Sequence, residues 1–292
     1  KILLSKDPSS EYHCVKLKSG SWVFVKEKEP GSEASTKKFD WTGRSYSDLF
    51  ISDSFQIVPF SSEINSPGNE GPFCFSPGEE EIYFTRCGSR EEESDFCHLF
   101  YSKSNGGIWN KPVQVLFSEL KGNQIHPALH SSGHFLIFSS DDPAGYGGYD
   151  LYKSEHSEEG WTKPVNLGSR INTSGNEMFP VWFNDTLFYS SNGLVGLGGL
   201  DLFSTYQLND SSWSPPINLK PPFNSESDDF SLFIDSSPSS DSSIYRTGYF
   251  SSNRQNNRVD AIYRVELRNR VIPQDNSEKT RFNYTLYANL RF

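Results

Sequence analysis

Acidic or amide residues return at one point of a long repeat: Glu11, Glu70, Gln124, Glu177 and Glu226. Carboxylates held together could split a glycosidic bond, which needs an acid and a base or nucleophile about 5–10 Å apart across the sugar. Their recurrence argues against that use. A catalytic pair breaks the symmetry of a repeat, whereas a residue present in every copy serves the fold. The five are expected to hold strand starts and to ring a channel mouth, so the chain is read as not an enzyme and no catalytic residue is assigned. Asp150 and Asp201 also recur, each in a Gly-Gly-x-Asp-Leu segment. They are expected to accept hydrogen bonds from the preceding turn. Calcium asks for six or more oxygens, and only Asp141 and Asp142 lie near in sequence. No metal and no cofactor are therefore expected.

Other chemistry has thinner support. His13 and His126 fall in first strands and are expected to pack or line the channel, because no Ser or Cys nucleophile has a matching base. His130 and His134 flank one short turn. No phosphate loop or zinc spacing is present. Cys14 and Cys74 read as buried free thiols. Cys87 and Cys97 flank one loop whose ends could meet the Cα separation of a disulfide, which makes them a candidate bridge.

These residues sit on a repeat. Leu49, Leu99, Leu151, Leu202 and Ile262 mark equivalent points, spaced 50, 52, 51 and 60 residues apart. The last interval is longer because of a Ser/Asp/Pro insert at about 235–243. Each copy reads as four short strands bounded by turn signals, with no stretch of helical period. Pro215 and Pro216 belong to an edge strand, since proline cannot donate to a ladder. Four-stranded units of this length, packed radially, predict an all-β, five-bladed β-propeller. The blades are expected at about 6–60, 61–117, 118–168, 169–220 and 221–267, the last completed by 1–5. In that closure Ile2, Leu3 and Leu4 supply the outer strand of blade 5 and remove an exposed edge. The domain then spans 1–267, and 268–292 is a tail in which 283–292 alternates like the start of a further β-domain.

The net charge of −10 excludes a phosphate backbone as partner. No apolar run is long enough to cross a bilayer.

The blocks Asn123-Gln124…Pro127, Phe138-Ser139-Ser140, Gly147-Gly148-Tyr149-Asp150-Leu151-Tyr152 and Trp161…Pro164-Val165-Asn166-Leu167 resemble TolB-type, WD-repeat-like propellers of Gram-negative envelope proteins. They are most similar to the propellers of OmpA-family peptidoglycan-associated proteins, including the PorE-like component of type IX secretion. The resemblance covers most of the chain and is weakest in blade 1. It implies a periplasmic, outer-membrane-associated scaffold whose partners are envelope proteins, with peptidoglycan reached only through a domain absent from this sequence. The segment 102–109 resembles the Asp-box turn of sialidases with Ser104 in place of Asp, and that box is structural. The alternative reading is a carbohydrate-active propeller, either hydrolase or glycan-binding module.

Binding is expected on loops, which vary while blades stay rigid. The Gly-rich loops 141–148, 192–199 and 252–257 put forward Tyr146, Tyr149, Asn192, Leu197 and Arg254. The insert at 235–243 is a further candidate.

Overall fold

The computed structural model describes residues 9–28, 38–39, 44–53, 56–88, 96–209, 212–241, 244–254 and 259–268. The expected closing strand at 2–4, most of the charged first-blade loop and the tail beyond 268 lie outside these residues. Five antiparallel sheets follow one another along the chain. Their inner strands are Glu11–Lys16, Asn69–Phe75, Gln124–Leu129, Glu177–Phe183 and Asp229–Asp235. Second strands (Trp22–Glu27, Glu81–Cys87, Phe135–Ser140, Thr186–Ser191, Ile244–Ser252) and third strands (Ser47–Ser52, Cys97–Asn105, Asp150–Ser157, Asp201–Asn209, Ala261–Arg268) lie outside them. Short outer strands such as Val165–Asn166 and Ile217–Asn218 complete the sheets. Each inner strand packs on the next, and the fifth packs on the first, so the ring is closed. This is the five-bladed β-propeller the repeat predicts.

One ring pair explains the blade core. Phe24–Phe50, Phe84–Phe100, Phe138–Tyr152, Tyr189–Phe203 and Phe250–Tyr263 face each other across the second and third strands. Their centroids lie 5.7–6.3 Å apart in every blade. Such pairs contribute about 0.5–1.5 kcal/mol each beyond their burial. Flat rings on a sheet face also fit the narrow gap between blades, which is why a chain with a single Met is so rich in Phe and Tyr.

Side-chain amides join blade to blade. Asn65, Asn172 and Asn224 each bond both the N–H and the C=O of a leucine in the preceding third strand: Leu49, Leu151 and Leu202. Asn69, Asn123, Asn176 and Asp228 each accept a backbone N–H just before or at the start of that strand, from Ser47, Cys97, Tyr149 and Leu200. Buried polar groups must be paired, so these clamps fix the angle at which blades meet. Blade 5 meets blade 1 through Ser10 Oγ donating to Asp260 (3.0 Å) and the Lys16–Asp235 ion pair (2.8 Å).

Every inner strand carries a register shift two or three residues from its start. His13, His126, Phe179 and Ser231 occupy it with φ between 49° and 56°, and Pro72 holds the place in blade 2. A non-glycine residue in this region is uncommon and marks a bulge that re-aims a side chain.

Candidate functional site

The bulges divide the channel. His13 accepts from or donates to Ser231 Oγ at 2.7 Å through Nδ1, and Nε2 meets the Phe73 carbonyl at 2.6 Å. His126 stacks on Phe179 at 3.9 Å. Burial holds the His13 imidazole down to about 4 and His126 well below the ordinary histidine range, so both are neutral at pH 7. Together these side chains form a plug with one cavity on each side.

The cavity on the Gly-rich loop face measures about 410 Å³. Strand alternation builds it. The residue after each ring position turns to the axis, giving Tyr12, Gly71, Ile125, Met178 and Phe230, with His126 and Phe179 as the floor. Tyr149 and the Cys87–Cys97 disulfide border it. Its rim is polar: Ser10, Asn69, Asn253 and the carboxylates Glu27, Asp228 and Asp260. Asp228 is engaged by Leu200 N–H and Asn253 Nδ2, both at 2.9 Å. The side-chain carboxylate of Glu27, on the second strand of blade 1, has no hydrogen bond or ion pair among the described residues, while its backbone N–H donates to the Ser10 carbonyl at 3.2 Å.

The ring acids play a different part. Glu11, Glu70, Gln124 and Glu177 share one register but are buried and absent from the cavity wall. Glu70 takes Ser66 Oγ at 2.5 Å and pairs with Arg86 at 2.9 Å. Burial pushes its carboxyl up to about 7 against the pull of Lys28 and Arg86. Glu177 accepts Thr173 N–H, Thr173 Oγ1 and Ser191 Oγ; Gln124 meets His98 at 2.9 Å. Glu226 does not belong to this set. It is exposed, and Asp229, three residues on, holds the register opposite Ser252 and pairs with Arg254. The stretch from Asn224 to Asp229 has the same length as that from Asn172 to Glu177, but it offers Glu226 and Asp228 ahead of Asp229, and the sequence reading takes the first acid.

Arg254, expected on the binding loops, is held by internal partners. It bonds Asp229, Ser252 Oγ and the carbonyls of Pro222 and Phe223, and lies over the rings of Phe250 and Tyr263. Asn192 accepts the Asn176 N–H at 2.8 Å. Tyr146 and Leu197 are exposed around the mouth, joined by Val195, which is 93% exposed. Asp150 and Asp201 accept the N–H groups of Tyr146 and of Leu197 and Gly198. The Gly-Gly pairs are required by proximity rather than by a left-handed turn: a Cβ on Gly198 would lie 2.2 Å from the Ser227 carbonyl of the next blade. Of the insert, residues 236–241 are described; they follow the inner strand toward the second and so emerge on the opposite face, and 242–243 lie outside the described residues. Among the described residues no group of three His, Cys, Asp or Glu side chains is placed to hold a metal, and no helix is long and apolar enough to cross a membrane.

Tyr12, Glu27, Phe179, Phe230 and Asp260 were missed in the sequence. For Tyr12 and Phe230 the available signal was the position beside the ring acid, which alternation turns to the axis; Phe179 sits on the bulge, and Glu27 and Asp260 reach the rim only through ring closure.

No family model and no curated protein matches the chain. Solved structures do. An α-L-arabinofuranosidase from Lactobacillus brevis is 12% identical, covers 95% of this chain and 96% of its own, and superposes with a TM-score of 0.51. A β-xylosidase covers 93% and 95% at 8% identity and 0.53. A putative TolB from Agrobacterium tumefaciens covers 91% and 80% at 11% identity and 0.53. These identities establish a shared fold. They also overturn the exclusion of enzymes: near-complete chains of two glycosidases have this same architecture, so symmetry among the ring acids does not rule out catalysis elsewhere in the ring.

Proposed function

We propose that this chain is a carbohydrate-active propeller that takes a sugar ring in the loop-face cavity. The carrying observation is the cavity itself: an aromatic lining of Tyr12, Phe179 and Phe230 beneath a rim of amides, hydroxyls and carboxylates. Apolar walls with a few convergent polar groups suit a small ligand, and a sugar offers both a C–H face and a hydroxyl edge. In this reading Glu27 and Asp260, on neighbouring blades 1 and 5, are the acid/base pair, while Asp228 positions the rim. Screening aryl arabinofuranosides, xylosides and galactosides tests it. Turnover that falls at least about 100-fold in Glu27→Gln or Asp260→Asn supports hydrolysis. Glycan binding without turnover leaves a binding module. Neither binding nor turnover on any glycan sinks the proposal.

A second reading is favoured by exposed Tyr146, Val195 and Leu197 on the same face. These loops would dock a protein partner, in keeping with the TolB-type resemblance and with an envelope, OmpA-associated or type IX secretion setting in the periplasm. Co-purification from envelope fractions, with Leu197→Asp and Val195→Asp abolishing recovery, is the matching test.

A further inference from the structure

On the face opposite the Gly-rich loops, a cavity of about 310 Å³ opens at the channel and another of about 590 Å³ lies between blades 2 and 3. Ser76, Pro77 and Leu129 line both, so the two make one trough from axis to flank. Its flank end departs from the repeat. Tyr101 stands where the other blades carry Ile51, Lys153, Ser204 and Arg264, as the strand registers show. Glu81 stands where Phe135, Thr186 and Thr247 stand elsewhere. A side chain that serves the fold recurs; these do not.

The deviating residues form one group. Tyr101 Oη donates to Glu81 at 2.8 Å. The Tyr83 ring lies 5.0 Å from Tyr101 and 5.7 Å from Trp161, the latter at 85°. His156 and Glu159 complete the wall. The Tyr83 hydroxyl and the Glu159 carboxylate have no hydrogen bond among the described residues. At the axial end the Trp182 indole N–H is buried without an acceptor. The charged groups there have partners: Lys16 pairs with Asp235 at 2.8 Å, Glu79 accepts the Lys18 backbone N–H at 2.9 Å, and the Lys18 ammonium donates to the Pro77 carbonyl at 2.7 Å.

We propose that this trough binds an extended neutral polysaccharide, its rings lying on Tyr101 and Trp161, with the buried Tyr83 ring packed behind both. Aromatic faces beside a carboxylate would also suit an ammonium ion. Such a cage needs only acceptors and ring faces, whereas this wall mixes free donors with acceptors, as a polyol requires. The inference does not rest on the loop-face reading, because the His13–His126–Phe179 plug separates the two cavities.

Affinity electrophoresis through gels containing arabinoxylan or β-glucan, followed by calorimetry with xylohexaose or cellohexaose, tests the trough. Retention on at least one glycan is expected. Tyr101→Phe and Glu159→Gln, which keep the packing, should each weaken binding roughly 3–10-fold, as loss of one hydrogen bond does. Trp161→Ala should weaken it further, with thermal melting to confirm folding. Three outcomes overturn the proposal: no retention on any glycan; retention indifferent to all three variants or lost instead in Glu27→Gln; or saturation of the Trp161 indole NMR signal by tetramethylammonium and not by glycan.

Discussion

His13 and His126 show how single residues set the pH response of this ring. Both are neutral and buried, with folded pKa values below the unfolded 6.5. The unfolded chain therefore binds protons that the folded chain refuses. Their contribution is intact above pH 6.5 and is lost as pH falls toward about 4, at roughly 3 kcal/mol for His13. Glu70 runs the other way: its raised carboxyl favours the fold below the ordinary glutamate range and loses that contribution as pH rises through about 7. Melting temperature is accordingly expected to drop between pH 6.5 and 4. The H13N/H126N double variant should flatten that limb, since Asn tolerates the positive φ of both sites. An unchanged acid limb would refute the assignment. Asp229 and Arg254 give a second residue-scale test. Removing the guanidinium leaves a buried carboxylate uncompensated, so Arg254→Ala should cost about 3–5 kcal/mol in urea unfolding. Glu226→Ala, at an exposed site, should stay within about 0.5 kcal/mol.

At the scale of elements, the blade is held by one aromatic pair within and one amide clamp between. Phe84→Ala should cost about 3–5 kcal/mol, for lost burial and the cavity left behind. Gly198→Ala adds a methyl where the next blade's backbone stands, and should destabilise by about 1–3 kcal/mol; a neutral result by calorimetric melting would mean the blades can part without penalty. The sequence made much of this legible. Strand periodicity, the Gly-Gly-x-Asp segment and the Trp-to-Asn-Leu run place the strands of blade 4 at 178–183, 186–191, 200–206 and 213–219, within a few residues of those observed. It misplaced Glu226 because the same stretch also holds Asp228 and Asp229, and only pairing with the second strand singles out Asp229. The Gly-Gly function was also hidden, because close approach between blades separated by dozens of residues leaves no local trace.

For the whole molecule, the lesson concerns symmetry. Glu70 and Glu177 recur and are held in buried hydrogen-bond networks, yet recurrence could not report on residues one or two steps along the strand. Tyr12, Phe179 and Phe230 differ from blade to blade, and only ring closure brings them to one axis. A propeller places its least repetitive side chains at the centre of its most repetitive scaffold, with one cavity on either side of the histidine plug. The loop-face cavity carries the functional account. Hydrogen–deuterium exchange with and without a xylo- or arabino-oligosaccharide that binds the chain reads it directly. The account predicts protection at the starts of the inner strands, around residues 12, 125, 178–179 and 230, together with the 146–149 loop. Protection confined to the outer strands, or none at a saturating ligand concentration, would contradict it.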